Sequence, residues 1–383
     1  MMKTEYTKFY FEEQGVTCVL STFCTEYSEV TEQHIMLRVE PRGEGFEGQY
    51  RRVCEAEARL LGLPAMQGAR AVCKRYFLSD PANQQPLMRS EEDCAVSAIG
   101  QPPLDGSKVA LWVYYQTGTA VTCEDGMAVA EHNGYRHLWT MGMHDGEGDS
   151  ARQTERLLID YEAALRDRGA TLAENCVRTW FFVRDVDTQY AGLVKARREN
   201  FVTEGLTPET HYIASTGIGG APADTRALIQ LGAYALTGME RGQMHYLYAL
   251  SHLNRTIEYG VTFERGTLME YGDRVHAYIS GTASIDNKGC VVHVGDVVGQ
   301  TRRMWENVET LLAEGGMAMD DVMQAIVYLR DMADYDVVRR LFEERFPTLP
   351  YVITLAPVCR PAWLIEMECI AVAERRDERF RTF

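Results

Sequence analysis

Residues 320–347 read DDVMQAIVYLRDMADYDVVRRLFEERFP. The apolar run within DDVMQAIVYLRD predicts a buried strand that ends at Asp331. DYDVVRRLFEERF then predicts a helix, stopped by Pro347. Upstream, HAYISGTASID (His276 to Asp286) alternates as a strand does. A glycine-containing loop, HVGDVVG, leads from it into QTRRMWENVETLLAEGG. There Met304, Val308, Leu311 and Leu312 follow helical spacing, and Gly315–Gly316 ends the helix. Downstream, YVITLAPV and LIEMECIAV read as closing strands.

The same order recurs in the middle of the chain. RHLWTMGMHD is the strand, GEGDSAR the loop and QTERLLIDYEAALRDRG the helix; ENCVRTWFFVRD is a strand ending at Asp185, and YAGLVKARRENF is a second helix. HYIASTGIGGAP and RALIQLGAYAL close this unit. The N-terminal third follows more loosely, through HIMLRVEP, GEGFEG, QYRRVCEAEARLLG, ARAVCKRYFLSD, CAVSAIGQPP and KVALWVYYQ. Its PANQQPLMRSEED reads as loop where the second helix would stand. From the helix-opening Gln (Gln49, Gln153, Gln300) to the strand-ending Asp (Asp80, Asp185, Asp331) is about 31 residues each time.

The fold class this predicts is α+β: three tandem units, each a mixed sheet with helices on one face, packed side by side as an internal pseudo-trimer. The boundaries read as 1–118 for a degenerate first unit, 119–240 for the second, 241–255 for an ordered connector and 256–375 for the third. The tail, 376–383, is charged and expected to face solvent.

Composition narrows the function. A net charge of -16 argues against a nucleic-acid surface or an anionic membrane surface. No stretch reaches the run of about 18 apolar residues a membrane helix needs, and the start of the chain lacks signal-peptide character. Ten cysteines, none in a C-x-x-C pair, read as reduced thiols of a cytoplasmic protein. Nine histidines show no H-E-x-x-H pattern, so neither a metal nor a cofactor is expected. GEGFEG fits G-x-G-x-x-G formally, but its two glutamates would repel phosphate and it holds the pre-helix loop position of the repeat.

With these motifs in order, ISGTASID, GDVVGQ, WENVETLL, DDVMQAIVYLRDMADY, FP and IEMECIAV, the third unit resembles the Rid/YjgF (reactive-intermediate deaminase) superfamily. The resemblance implies clefts between units, and an internal trimer that allows the chain to be a monomer. Within the superfamily, VRTW, STGIGG, YGVTFERG and VCRPAWLIEMEC are similar to the chorismatases, fused multi-unit members that hydrolyse the enol ether of chorismate and release pyruvate. One departure stands out. Rid deaminases carry an arginine just after the FP turn that grips the substrate carboxylate, whereas FPTLPYV (Phe346 to Val352) has none; the nearest is Arg360.

Of the three closing strands, KVALWVYYQ, RALIQLGAYAL and WLIEMECIAV, the third alone carries acids, Glu366 and Glu368. Two apart on a strand, they project from one face. Opening an enol ether or enamine requires protonating a carbon, hence an acid held protonated near neutrality. Burial and a second carboxylate on the same face both push a glutamate that way. The resemblance places the general acid at Glu366, with Cys359 lining the pocket and Arg265 and Tyr259 contacting substrate; Glu368 is expected as a second catalytic residue that tunes the first acid or holds a neighbour, and Arg360 as carboxylate clamp. Salt bridges to helix arginines such as Arg302, Arg303 or Arg339 are the plainer reading of the glutamates. Three functions are therefore expected to compete: a chorismatase-like hydrolase of a small anionic metabolite, a Rid-type enamine/imine deaminase, and a non-catalytic small-ligand-binding protein.

Overall fold

A computed structural model describes residues 4–89 and 92–383; Ser90 and Glu91, within the stretch read as loop in the first unit, lie outside it, as do residues 1–3. The first unit runs β1 (Glu5–Phe11), β2 (Val16–Phe23), β3 (Thr31–Val39), α1 (Phe46–Leu61), β4 (Arg70–Leu78), α2 (Pro81–Gln84), β5 (Ala95–Gly100) and β6 (Val109–Thr117). The second runs β7 (Ala120–Glu124), β8 (Met127–His132), β9 (Tyr135–His144), α3 (Ser150–Arg166), α4 (Leu172–Asn175), β10 (Cys176–Val183), α5 (Val186–Thr203), β11 (Ala214–Gly219) and β12 (Ile229–Thr237). The third runs β13 (Met244–Leu247), β14 (Gly266–Glu270), β15 (Arg274–Ala283), α6 (Val297–Glu314), β16 (Val322–Leu329), α7 (Tyr335–Arg345), β17 (Tyr351–Leu355) and β18 (Ile365–Glu374).

Each unit builds one six-stranded sheet, and the three have the same strand order: β1-β2-β3-β6-β4-β5, β7-β8-β9-β12-β10-β11 and β13-β14-β15-β18-β16-β17. The last pair of each is parallel and spanned by the second helix, or by the short α2 in the first unit. The repeated glutamines explain why the pattern persists. Gln153 Oε1 accepts from the Leu228 and Ile229 amides, Gln300 Oε1 from Leu364 N and Gln49 Oε1 from Lys108 N. Each latches its first helix to the start of the closing strand, satisfying backbone amides that burial would otherwise orphan. The recurring aspartates begin helices: Asp80 and Asp331 accept from amides of the turns that follow them.

On the outer faces, helices cover the sheets, with Val53 and Leu60 packed against Leu37 and Leu111, and Leu158 and Tyr161 against Leu231. The inner faces meet around a common axis rich in aromatics, where Trp139 stacks on Tyr234 at 4.4 Å and lies 6.2 Å from Trp180. The chain is thus an internal pseudo-trimer. Two expectations are corrected here. The segment read as a connector supplies β13, the edge strand of the third sheet, because Met244 to Leu247 finds a free edge on β14. The charged tail is not wholly solvated: Phe383 is buried, its ring 4.4 Å from His132, 4.8 Å from His276 and 4.6 Å beneath the Arg274 guanidinium.

Candidate active site

The closing strand fixes the site's position. Val109, Ile229 and Ile365 pair with Leu78, Val183 and Leu329, each two residues before its aspartate. Counting on from there, Ala110, Gln230 and Glu366 share one place, and Trp112, Gly232 and Glu368 the next on the same face. The two glutamates are therefore the third unit's version of positions that hold neutral residues elsewhere.

Glu368 lies at the junction of all three units. Its Oε1 accepts from Arg75 Nη1 of β4 at 3.1 Å and from Trp180 Nε1 of β10 at 2.9 Å. Its Oε2 accepts from Arg178 Nη2 at 2.9 Å and from Thr216 Oγ1 at 2.5 Å. The partners are strand arginines of the first two units rather than the helix arginines named from sequence. Arg75 is further enclosed by the rings of Trp112, Trp180 and Phe182, 5.0 to 5.4 Å away. A carboxylate with four donors and two cations is fully occupied.

Glu366 is different. It is 4% exposed, and among the described residues no group donates a hydrogen bond to its carboxyl. Burial, then the charge of Glu368, pushes that carboxyl up to about 8, against the opposing pull of Arg178 and Arg265. The acid is therefore protonated at neutral pH. Room for it comes from Gly281, in an irregular stretch of β15: a Cβ there would lie 2.1 Å from Glu366 Oε1. The Gly281 amide donates to Thr216 Oγ1 at 2.9 Å, tying β15 to β11 across the cleft.

The cleft between the second and third units is lined by Tyr190, Ser215 and Thr216 on one side, and by Tyr259, Arg265, Cys359, Arg360, Trp363 and Glu366 on the other. Five of the six residues named from sequence thus converge on one cavity, while Glu368 stands behind it. The enclosed volume is about 30 Å³, room for one water-sized group. Arg265 is buried and fixed by the Asn254 carbonyl at 3.0 and 3.2 Å, with its guanidinium 5.4 Å from the Tyr259 ring. Arg360 is exposed at the mouth, lying 5.1 Å from the Tyr259 ring and 5.3 Å from that of Trp363. The Cys359 thiol is pushed up to about 12, by burial first and the charge of Glu366 second, so it stays protonated. Burial likewise raises the Tyr259 and Tyr190 hydroxyls. Among the described residues, no three His, Cys, Asp or Glu side chains gather as metal ligands, and no helix is long and apolar enough to cross a membrane.

Sequence reasoning did not assign Arg75, Arg178, Trp180, Tyr190 and Arg197. Arg178 and Trp180 stand in VRTW, whose place on a central strand is a signal of inward-facing polar groups. Tyr190 and Arg197 are seven apart on α5 and so share a helix face. The two other junctions differ. Between the first and second units a recess of about 680 Å³ is floored by Gln230, whose Nε2 donates to Ser97 Oγ at 2.7 Å. Between the third and first, Leu104 N donates to Ile353 O at 3.1 Å and Leu355 N to Pro102 O at 2.8 Å, stitching the edges together.

A family model described as Endoribonuclease L-PSP matches residues 268–373. The 3-aminoacrylate deaminase RutC of Acinetobacter baylyi is 35% identical over 97 residues, spanning 24% of this chain and 76% of that protein. The chain belongs to the Rid/YjgF superfamily. A chorismatase crystal structure superposes with a TM-score of 0.64 at 21% identity, covering 81% of this chain and 96% of that one. The three-unit arrangement, not one unit alone, is therefore the shared fold.

Proposed function

We propose that the protein is a hydrolase of a small anionic metabolite bearing an enol-ether or enamine double bond, with Glu366 as the proton donor. The observation that supports this best is the division of labour between the paired acids: Glu368 is held by four donors, whereas Glu366 faces the cleft with its carboxyl pushed up to about 8. A protonated carboxylic acid facing a cleft suits delivery of a proton to an electron-rich carbon. Arg265 and Arg360 supply charge for the substrate carboxylate, and water then adds to the resulting oxocarbenium or iminium carbon. For an enol ether, collapse of that adduct expels the alcohol and leaves a ketone. The enclosed volume of about 30 Å³ is smaller than such a ligand, so binding requires the cleft to open.

Chorismate is the first substrate to test. The purified protein is expected to release pyruvate from it, and Glu366→Gln is expected to abolish release while the far-UV spectrum stays unchanged. Absence of pyruvate from the wild type would exclude the chorismatase-like reading. The deaminase reading draws on the RutC match; ammonia released from an enamine such as 2-aminoacrylate, generated in situ, would favour it. A ligand-binding protein without turnover would give neither product.

A further inference from the structure

We propose that Arg197 is an anion-binding residue of the cleft, left as an uncompensated buried cation in the free protein and neutralised by a carboxylate of the bound ligand. Four arginines are almost wholly enclosed: Arg75, Arg178, Arg197 and Arg274. Arg75 and Arg178 share Glu368, and Arg274 is paired with Glu32 at 2.7 Å and Asp273 at 2.9 Å. Arg197, 1% exposed, has no carboxylate within 4.0 Å among the described residues. Its Nη1 donates to Ser215 Oγ at 3.3 Å, while Nε and Nη2 have no partner.

The surroundings explain how the charge survives and where it points. The guanidinium lies 5.7 Å from the Phe181 ring and 5.9 Å from that of Phe263, so two aromatic faces hold it. Tyr190, Cys359 and Tyr259 also bear on it, and burial pulls its pKa down. The thiol and hydroxyls are neutral at pH 7, so none compensates the cation. Ser215, Tyr190 and Phe263 all line the cleft, which places Arg197 immediately behind its second-unit wall. The unpartnered Nη2 is the donor this arrangement leaves for a carboxylate that enters between Tyr190 and Ser215. An isolated buried charge is destabilising until it is paired, so binding an anion here relieves a penalty built into the free protein.

This inference rests on the cleft being the ligand site, and its test does not depend on turnover. Arg197→Met removes the charge but keeps a straight side chain between the two rings. The free variant is expected to melt higher than the wild type by at least about 2 °C. It is also expected to bind pyruvate, a three-carbon carboxylate, at least about tenfold more weakly by calorimetry. Arg197→Lys, which retains the charge, is expected to show no such stabilisation. A merely structural arginine predicts the opposite, a lower melting temperature. The proposal is overturned if Arg197→Met melts at or below the wild type, if it binds pyruvate as tightly, or if the wild type binds no pyruvate at millimolar concentration. Should chorismate go unhydrolysed while Arg197→Met behaves as expected, the proposed chemistry fails and the anion site stands.

Discussion

Replacing Glu366 by glutamine tests the buried acid without any substrate. In the folded protein, burial and the charge of Glu368 carry the carboxyl from its ordinary 4.5 to about 8; in the unfolded chain it ionises near the ordinary value. Between those two pH values the native state holds a proton that the unfolded state has released. Stability contributed by this group is therefore full below about 4.5, falls as pH rises to about 8, and is level above that. About 3.5 pH units separate the two values; at about 1.36 kcal/mol per unit the ceiling is about 5 kcal/mol. Relaxation around the charge makes a few kcal/mol the expected reading.

Glutamine has nearly the same shape and does not titrate, and its presence as Gln230 at the matching place in the second unit shows that the sheet accepts it. Urea unfolding of both proteins between about pH 5 and pH 9 gives the difference in stability, from which every group common to both cancels. The variant is expected to gain on the wild type steadily up to about pH 8, then run parallel to it. A difference that stays flat over this range would refute the raised acid, and so would one that moves in favour of the wild type as pH rises.

Two further outcomes follow from the same geometry. Glu368→Gln leaves Arg75 and Arg178 without their carboxylate and is expected to lower stability by about 3–5 kcal/mol, read by denaturant unfolding, whereas an exposed glutamate would change it little. Arg360→Ala removes an exposed cation at the cleft mouth; KM for an anionic substrate is expected to rise about tenfold with stability unchanged, which steady-state kinetics beside thermal unfolding will check.

The fold was legible because the repeat imposes local rules three times. Glutamines that latch helices and aspartates that start them must recur wherever the same turn is built, so Gln49, Gln153 and Gln300 mark the register. The position of Glu366 was legible for a related reason: an acid in an apolar strand stands out against Ala110 and Gln230. Its partner set was not. Arg75 lies 293 residues before Glu368 and Arg178 lies 190 before it, and only assembly of the three sheets brings them to one point. The tail, read as solvated, and β13, read as part of a connector, were misread for the opposite reason: so short a segment shows no sign of the crevice or sheet edge that receives it until the fold supplies one.

The three clefts, built from one strand order, differ by a few side chains, and this bears on what the repeat is for. Where the second unit has Gln230, its neutral amide donates to Ser97 and is no acid near neutral pH. At the third junction the backbone itself closes the gap. Among the described residues only Glu366 combines burial, a neighbouring carboxylate on its own strand and freedom from donors, and the other units take part through that neighbour: Arg75 from the first and Arg178 from the second bind Glu368 beside it. A homotrimer of identical chains would repeat any such acid in every cleft and place three carboxylates around the axis. Fusion of three units into one chain permits a single carboxylate there, with two arginines of different origin to receive it. The first unit, which contributes no lining residue to the cleft, is then required through Arg75.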